Sequence, residues 1–289
     1  MLGLTSAPKK CYYLEILDII LTTSMTKISF LHTGLPKECI AANIFVEPNF
    51  EDHPYIRGTG FFAKRGRDLY YITAKHCLEK HNKLSVSEAA ARLRVVAEFN
   101  KRNIRANDYV LIDEMILLKN ESLPEDEKIA DIVVFPITSF KNEKQRKMLL
   151  SRAIKLPPTG DWVDEFVKIP LVQSNIASEN GAPFTCVGYP ASGTGTDVLG
   201  FKDNNDTVTL QAAKFTGYLT ISSDEYKFKL KNISWAHDLD GFSGSPVFLC
   251  HKNEHGQHYA LAGMLVTGGA KQTHFLKINV ITQVFSNHS

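Results

Sequence analysis

Short apolar stretches separated by polar turns run along most of the chain, and this spacing is typical of antiparallel β-structure. Residues 58–63 and 69–74 are joined by a polar turn, so they predict a hairpin. The other segments that predict strands are, in chain order, residues 27–49 (one or two strands), 93–99, 109–118, 129–136, 166–172, 184–189, 207–210, 215–221, 227–230, 247–250, 259–266 and 274–280. Their close spacing favours antiparallel barrels or sandwiches over parallel βαβ units.

Three segments have helical rather than strand character. Residues 87–93 predict a helical turn with a serine cap, either Ser85 or Ser87. Residues 140–155 are rich in Lys, Glu, Gln and Leu, which predicts a surface helix, and a Pro-Pro-Thr-Gly run ends it. We interpret this region as a bridge between two β-rich halves. Residues 281–286 predict a short closing helix.

Length and composition are ordinary for a soluble globular protein. The chain has 289 residues, of which 44% are apolar and 22% are charged, enough for one large core or two modest ones. The formal net charge of +2 gives no general attraction to nucleic acid or to a membrane surface, and we expect neither as a partner. No run of about 18 uninterrupted apolar residues occurs, so no transmembrane helix is expected.

The cysteines and the N-terminal residues bear on location. The five cysteines are odd in number and lack metal-type spacing, which favours a reducing compartment over a disulfide framework. We therefore expect a cytoplasmic protein. Residues 9–22 loosely imitate a signal peptide, but Glu15 and Asp18 interrupt the apolar stretch and no clear cleavage site follows, so we expect no export. Either a short amphipathic helix or an extension ahead of a start at Met25 would explain this segment.

The motif GFSGSP, residues 241–246, is the strongest candidate for chemistry. Ser243 lies between small residues in a turn, where backbone amides can point at a developing oxyanion. Gly241 can adopt backbone angles closed to other residues and leaves room for a substrate. The chain continues as a strand and has Ser245 where a nucleophile elbow needs glycine, which argues against an α/β-hydrolase. A small-residue hairpin turn is the alternative.

Two further side chains could act with this serine. His76 follows the predicted hairpin, where it could also be a satisfied core histidine. Asp131 lies inside the apolar run IADIVVFP, and a buried carboxylate is costly unless it accepts a hydrogen bond. A turn cap is the alternative for this acid. The three residues occur in the order His, Asp, Ser, which is the chymotrypsin-like order and differs from that of subtilisins and α/β-hydrolases.

On the segments YITAKHC (residues 71–77), DIVV (131–134) and GFSGSP, the chain resembles the trypsin/chymotrypsin-like serine proteases, and most of all the compact bacterial kind. The resemblance covers roughly residues 27–285, and only the three motifs are specific. It implies an all-β protein of two antiparallel six-stranded β-barrels, with a helical bridge between them and a short C-terminal helix. The expected organisation is an extension at residues 1–26, a first barrel at 27–140, a bridge at 141–164 and a second barrel at 165–289.

The resemblance also implies the catalytic roles. Ser243 would attack the scissile carbonyl, and His76 would take its proton and pass it to the leaving group. Asp131 would hold the histidine tautomer and offset its charge. The backbone amides of Gly241 and Ser243 would form the oxyanion hole. An unperturbed histidine base predicts an apparent pKa of about 6–7 for hydrolysis.

Substrate contacts follow from the same resemblance. Residues 262–268 are similar to the family strand that lines the primary pocket, so Val266, Thr267 and Gly268 could pair with an extended substrate. His237, six residues before the serine, takes the pocket-floor position, where an acid would have implied Lys or Arg substrates. His274 falls near the pocket wall, where some relatives use histidine to recognise Glu or Gln.

Two departures from the family pattern have consequences. Secreted relatives pair the cysteine beside the catalytic histidine with an upstream cysteine, and the matching place here is near Phe61, so Cys77 is expected to stay a thiol. Relatives activated by cleavage have an aspartate just before the nucleophile, where this chain has Phe242. We therefore expect that the pocket forms without N-terminal processing.

The sequence thus predicts a serine endopeptidase that acts on peptide or protein substrates and needs no cofactor. A protease-like module that binds peptides or serves as a scaffold without turnover, and an esterase on the same fold, are the alternatives. A cluster of Cys250, His251, His255 and His258 could suggest zinc, but a hairpin loop explains it and we expect no metal. Regulation by an activating protein partner in trans is possible.

Overall fold

A computed structural model describes residues 32–47, 50–79, 85–100, 104, 106–112, 114–119, 129–177, 183–190, 200–202, 205–207, 210–220, 222, 224–253, 256–269 and 272–286. The expected N-terminal extension lies outside this part of the chain. None of the helices in these ranges has the length and apolar character that a membrane span requires.

The described part is built mainly from strands. The strands are β1 (His32–Thr33), β2 (Ile40–Glu47), β3 (Phe50–Arg65), β4 (Asp68–Thr73), β5 (Leu93–Arg94), β6 (Ile116–Lys119), β7 (Ile129–Pro136), β8 (Ile154–Lys155), β9 (Pro183–Gly188), β10 (Gly200–Lys202), β11 (Asn205–Thr207), β12 (Ala213–Thr220), β13 (Lys227–Lys231), β14 (Pro246–Asn253), β15 (Gly256–Gly269) and β16 (Gln272–Lys277). The α-helices are α1 (His76–Glu79), α2 (Val86–Arg92), α3 (Glu143–Arg152), α4 (Trp162–Lys168), α5 (Pro170–Ala177) and α6 (Ile278–Ser286). Single turns of 3₁₀ helix lie at Lys37–Cys39 and Ala106–Asp108.

The second half of the chain forms a closed antiparallel barrel. Its strands pair in the order β15-β14-β9-β12-β13-β16, and β16 pairs again with β15, which closes the ring of six. Strand β1 pairs with the outer edge of β15. In β13, Phe228 and Leu230 are buried while the three lysines between and around them are half-exposed, which is the alternation that a barrel wall requires.

The first half forms a curled antiparallel sheet of six strands in the order β5-β2-β3-β4-β7-β6, and β8 pairs in parallel with β3. Strands β5 and β6 end this path, and within the described residues they do not pair with each other. A single antiparallel bridge between Val96 and Tyr109 lies beyond them. The all-β, two-barrel fold is therefore confirmed, with one barrel closed and the other curled.

The predicted strand at residues 166–172 is wrong, because this segment belongs to helices α4 and α5. Ile169 is the C-terminal cap of α4, with extended backbone angles, and Pro170 begins α5. Proline disfavours helical angles in the preceding residue but is well placed at the first position of a helix. The Ile-Pro pair therefore separates two short helices rather than interrupting a strand.

The predicted strands at residues 93–99 and 109–118 are shorter than expected, since only β5 and β6 form there. The guanidinium of Arg152 is buried and donates to the carbonyls of Val96, Ala97 and Ile40. Two of these carbonyls, those of Val96 and Ala97, belong to the segment after β5. The Arg152 side chain therefore occupies backbone acceptors that a longer β5 would use for hydrogen bonds to a neighbouring strand.

The predicted helical segments are confirmed, with shifted ends. Helix α2 begins after Ser85, whose hydroxyl accepts a hydrogen bond from the Glu88 backbone amide in a capping box. Helix α6 begins at Ile278, earlier than predicted. Its Phe285 ring packs edge-on against Tyr70 of β4, with centroids 4.5 Å apart, so α6 contacts the curled sheet as well as the barrel.

Candidate active site

His76 and Asp131 are brought together by the pairing of two strands. Strand β4 runs antiparallel to β7, with Thr73 opposite Val133. His76 lies three residues beyond Thr73 and Asp131 lies two residues before Val133, so both reach the same end of the sheet. The Nδ1 atom of His76 lies 2.7 Å from Oδ2 of Asp131. The His76 backbone amide donates to Oδ1 at 2.9 Å.

The pKa of His76 is set by opposing effects. Burial lowers it, while hydrogen bonds to Asp131 and Cys77 and the charges of these groups raise it, with a net rise to about 10. This pKa lies above the 6–7 expected for an unperturbed histidine base. The sequence identifies the histidine but does not show how strongly it interacts with Asp131. The carboxylate stabilises the imidazolium.

Cys77 lies between the histidine and the serine turn. Its side chain is buried and is a free thiol, as predicted. The Sγ atom lies 3.9 Å from Nε2 of His76 and 3.7 Å from the carbonyl oxygen of Ser243, to which the thiol can donate. Phe61, near which the resemblance would place a partner cysteine, is fully buried in the core.

The serine turn lies in the loop between β13 and β14 and packs tightly against the curled sheet. Gly244 has a φ of +86°, and a Cβ added there would overlap the carbonyl oxygen of Thr59. Only glycine fits this position on both grounds. The Gly244 amide donates to the Leu265 carbonyl at 2.7 Å, which ties the turn to β15.

Two backbone amides of the turn are available to an external acceptor. The amides of Gly241 and Ser243 donate to no acceptor in the described part of the chain, whereas the carbonyls of the same residues are bound to Thr59. Gly241 has a φ of +87°, which the missing side chain permits. The two free amides make this turn a candidate oxyanion hole.

Ser243 is half-buried, and within the described residues no hydrogen bond joins its hydroxyl to His76. The two residues are nevertheless neighbours, because the Cys77 thiol contacts the His76 ring on one side and the Ser243 carbonyl on the other. Catalytic hydrogen bonds are often long in the absence of substrate and shorten in the complex.

Phe242 occupies the position where cleavage-activated members of the family that the sequence resembles have an aspartate. Its side chain is fully buried. The ring packs edge-on against Phe215 at 5.0 Å and against Trp235 at 5.3 Å between centroids. Apolar ring contacts therefore hold this part of the turn. Phe242 has no charge with which to form the ion pair that an aspartate at this position could form.

The predicted substrate residues lie on and around the end of β15. A register shift between Leu265 and Thr267 leaves Val266 without a paired residue in β16. Val266 is buried, while Thr267 and Gly268 are exposed. His237 is exposed and its ring contacts Trp235 at 5.9 Å.

His274 lies beside Thr267, with Nδ1 3.4 Å from the threonine Oγ1. Burial lowers the pKa of His274, and the nearby charges of Lys229 and Lys227 lower it further, while Asp224 acts in the opposite direction. The imidazole is therefore biased towards its neutral form and can donate or accept a hydrogen bond.

The segment considered for zinc forms the β14–β15 hairpin, as predicted, with His251 opposite His258. His255 lies outside the described residues. Among those that are described, no group of three His, Cys, Asp or Glu side chains is placed to hold a metal ion.

Sequence reasoning missed the buried polar residues behind the turn: Asn43, Thr59, Tyr71 and Thr73. Their hydrogen bonds join strands that are distant in sequence, and Thr59 is separated from Gly241 by 182 positions. The only local signal is a polar residue inside an apolar strand, which Thr73 and Asn43 both show.

No protein-family model and no curated protein matches the chain in sequence. Solved structures do resemble it. Over 89% of the chain it is similar to GrC, with 13% identity, a TM-score of 0.48 and 97% of that chain covered. It is similar to the VesB protease of Vibrio cholerae over 89%, with 14% identity, a TM-score of 0.46 and 66% of that chain covered. It is also similar to the Drosophila Grass clip serine protease of the Toll pathway over 90% of the chain, with 12% identity, a TM-score of 0.47 and 72% of that chain covered.

The sheet pairings place the histidine and the acid on the curled sheet and the serine turn on the closed barrel. This is the two-barrel, chymotrypsin-like fold.

Proposed function

We propose that this protein is a serine endopeptidase whose triad is His76, Asp131 and Ser243. The observation that carries the proposal is the 2.7 Å contact between His76 and Asp131, next to a turn with two unused amides among the described residues. A carboxylate that holds one imidazole nitrogen leaves the other free to take a proton from a hydroxyl. A polar cluster with only a structural role does not require both an imidazole–carboxylate pair and a neighbouring turn with unused amides.

In the proposed reaction, the Ser243 hydroxyl attacks the carbonyl carbon of the scissile peptide bond as Nε2 of His76 accepts its proton. The amides of Gly241 and Ser243 stabilise the negative oxygen of the tetrahedral intermediate. The imidazolium then protonates the leaving amine, and the acyl-enzyme forms. Water, deprotonated by the same histidine, hydrolyses the ester and regenerates the serine.

An extended peptide suits the end of β15, at Val266, Thr267 and Gly268. The register shift at Val266 interrupts pairing with β16, and the two residues that follow it are exposed. A substrate could add to this segment by backbone hydrogen bonds, as in strand addition. A peptide is favoured over a small ester because such a surface is extended.

We further propose that the site forms without N-terminal processing. Phe242 is anchored by Phe215 and Trp235 and offers no charge to a new N-terminus. The unprocessed chain is then competent. Activity found only after trimming would contradict this point, and activity found only with an added protein would identify a partner in trans.

The test is labelling of the purified, unprocessed chain with a fluorophosphonate probe, followed by cleavage of a peptide library. Ser243→Ala and His76→Ala should abolish both reactions. Ser151→Ala is the matched control, because Ser151 is an exposed helix serine in α3 and should not matter. A folded parent that is neither labelled nor active would leave a peptide-binding module. Ester hydrolysis without peptide cleavage would indicate an esterase.

A further inference from the structure

Thr59 has its side-chain and backbone groups engaged where the curled sheet meets the serine turn. Its hydroxyl donates to the Gly241 carbonyl at 2.7 Å and accepts from the Tyr189 amide at 2.8 Å. Its backbone amide donates to the Ser243 carbonyl at 2.8 Å. One fully buried residue of β3 thus contacts both ends of the segment that carries the candidate oxyanion hole.

The direction of the Thr59 hydroxyl proton is determined by its neighbours. A hydroxyl has one proton to donate. Because the Tyr189 amide already donates to the oxygen, the proton is left for the Gly241 carbonyl. Gly241 is at a positive φ and has no side chain, so its own backbone offers little resistance to rotation. Two hydrogen bonds hold the peptide unit that contains this carbonyl: the Thr59 hydroxyl donates to its oxygen, and its Phe242 amide donates to the Leu239 carbonyl at 3.0 Å.

Thr59 is itself held from behind by a chain of buried hydrogen bonds. The Thr73 hydroxyl donates to the Thr59 carbonyl at 2.8 Å. The Asn43 amide group donates to the Thr73 hydroxyl at 2.8 Å, and the Tyr71 hydroxyl donates to the Asn43 carbonyl group at 2.7 Å. All four side chains are buried, and a satisfied buried network of this kind is rigid.

We propose that Thr59 is a positioning residue, which holds the Gly241 and Ser243 amides in the orientation that binds an oxyanion. The inference rests on the proposed function. Thr59 touches no reacting atom: it holds the carbonyls of Gly241 and Ser243, which restrain the amide of the same residue across its Cα atom. Since oriented donors stabilise the transition state more than the bound substrate, losing the hydroxyl should lower kcat and leave KM nearly unchanged.

The experiment compares Thr59→Val, Thr59→Ser and Thr185→Val with the parent. Valine keeps the shape and removes the hydroxyl, while serine keeps the hydroxyl. Thr185 is a buried threonine of β9 outside the turn, so Thr185→Val controls for loss of a buried hydroxyl in general. We expect Thr59→Val to lower kcat about tenfold or more, short of the roughly 10²- to 10³-fold loss from removing an oxyanion donor itself. Thr59→Ser should restore most of the rate.

Hydrogen–deuterium exchange of residues 241–245 gives a second readout that does not need activity. Exchange of these amides should be faster in Thr59→Val than in the parent or in Thr185→Val. The inference would be overturned if Thr59→Val changed neither the exchange nor kcat. It would also be overturned if Thr185→Val lowered kcat as much as Thr59→Val does. A parent that never reacts with a fluorophosphonate would instead overturn the proposed function, and the exchange result would still decide the role of Thr59.

Discussion

His76 contacts the two oxygens of the Asp131 carboxylate with two different groups, its ring at 2.7 Å and its backbone amide at 2.9 Å. The amide fixes where the carboxylate lies, and the carboxylate fixes how the ring is turned. The pair is therefore oriented by a backbone amide at the start of α1 and not by side-chain packing alone.

The first prediction concerns pH. Because the pKa of His76 is raised and hydrolysis needs the neutral imidazole, kcat/KM should rise with pH to a midpoint above the ordinary histidine value of about 6.5. Asp131→Asn removes the main partner, so the midpoint should fall and the rate should drop by about 10⁴. Asp68→Asn, at an exposed turn acid of the same sheet, is the control. A parent midpoint at or below the ordinary value would contradict the prediction.

The second prediction concerns the tight fit of the serine turn. Gly244→Ala adds a methyl group where the Thr59 carbonyl lies, and we expect a loss of about 2 kcal/mol or more in the free energy of unfolding, with loss of fluorophosphonate labelling. Gly34→Ala is a matched control, since Gly34 has a similar φ of +81° but no atom within 4 Å of the added carbon. Denaturant unfolding measures both. Equal losses would show that strain alone, without the clash, explains the effect.

A third prediction concerns the junction of α4 with the barrel. Lys277 is largely buried and its Nζ lies 2.8 Å from Oδ1 of Asp164. Asp164→Ala would remove the carboxylate from this ammonium, which keeps its contact with the Phe228 ring, and from the Asn279 amide group, which donates to Oδ2 at 3.0 Å. We expect unfolding to become easier by about 1–3 kcal/mol. Glu143→Ala breaks an exposed pair with Arg146 and should cost no more than about 1 kcal/mol. Similar midpoints for the two variants in urea would count against the argument.

The fourth prediction concerns specificity. His274 lies beside Thr267 and is biased towards the neutral imidazole by burial and by the charges of Lys229 and Lys227. We propose that it hydrogen-bonds a Glu or Gln side chain on the substrate, and that His274→Ala lowers this preference about tenfold in a peptide library. His258→Ala, at the other end of β15, should leave the profile unchanged. Equal cleavage after Glu, Gln and Lys by the parent would refute the assignment.

The candidate site is more predictable from the sequence than the elements around it. His76, Asp131 and Ser243 each lie in a short motif whose residue types report local requirements, such as a small-residue turn or an acid inside a strand. Thr59 carries no such signal, because its role depends on contacts with Gly241 and Tyr189 that only the folded chain creates.

The errors in the fold have the same origin. Residues 166–172 are apolar enough for a strand, and Pro170 is the signal that two helices meet there. The shortness of the strand near Val96 has no local signal in the sequence. The Val96 carbonyl is bound by the side chain of Arg152, which is 56 positions away. Patterns of one residue type report local structure, whereas competition for backbone acceptors is decided by the tertiary fold.

The contact of Phe285 with Tyr70 has a consequence for biosynthesis. Phe285 follows both β-rich halves in chain order, yet its ring packs on the hairpin of the first, with the Arg65 guanidinium 5.9 Å from its centroid. On the ribosome, the curled sheet emerges long before this ring is made. A nascent chain that already carries Ser243 still lacks this contact, so we expect Ser243 to be translated before the two halves pack together.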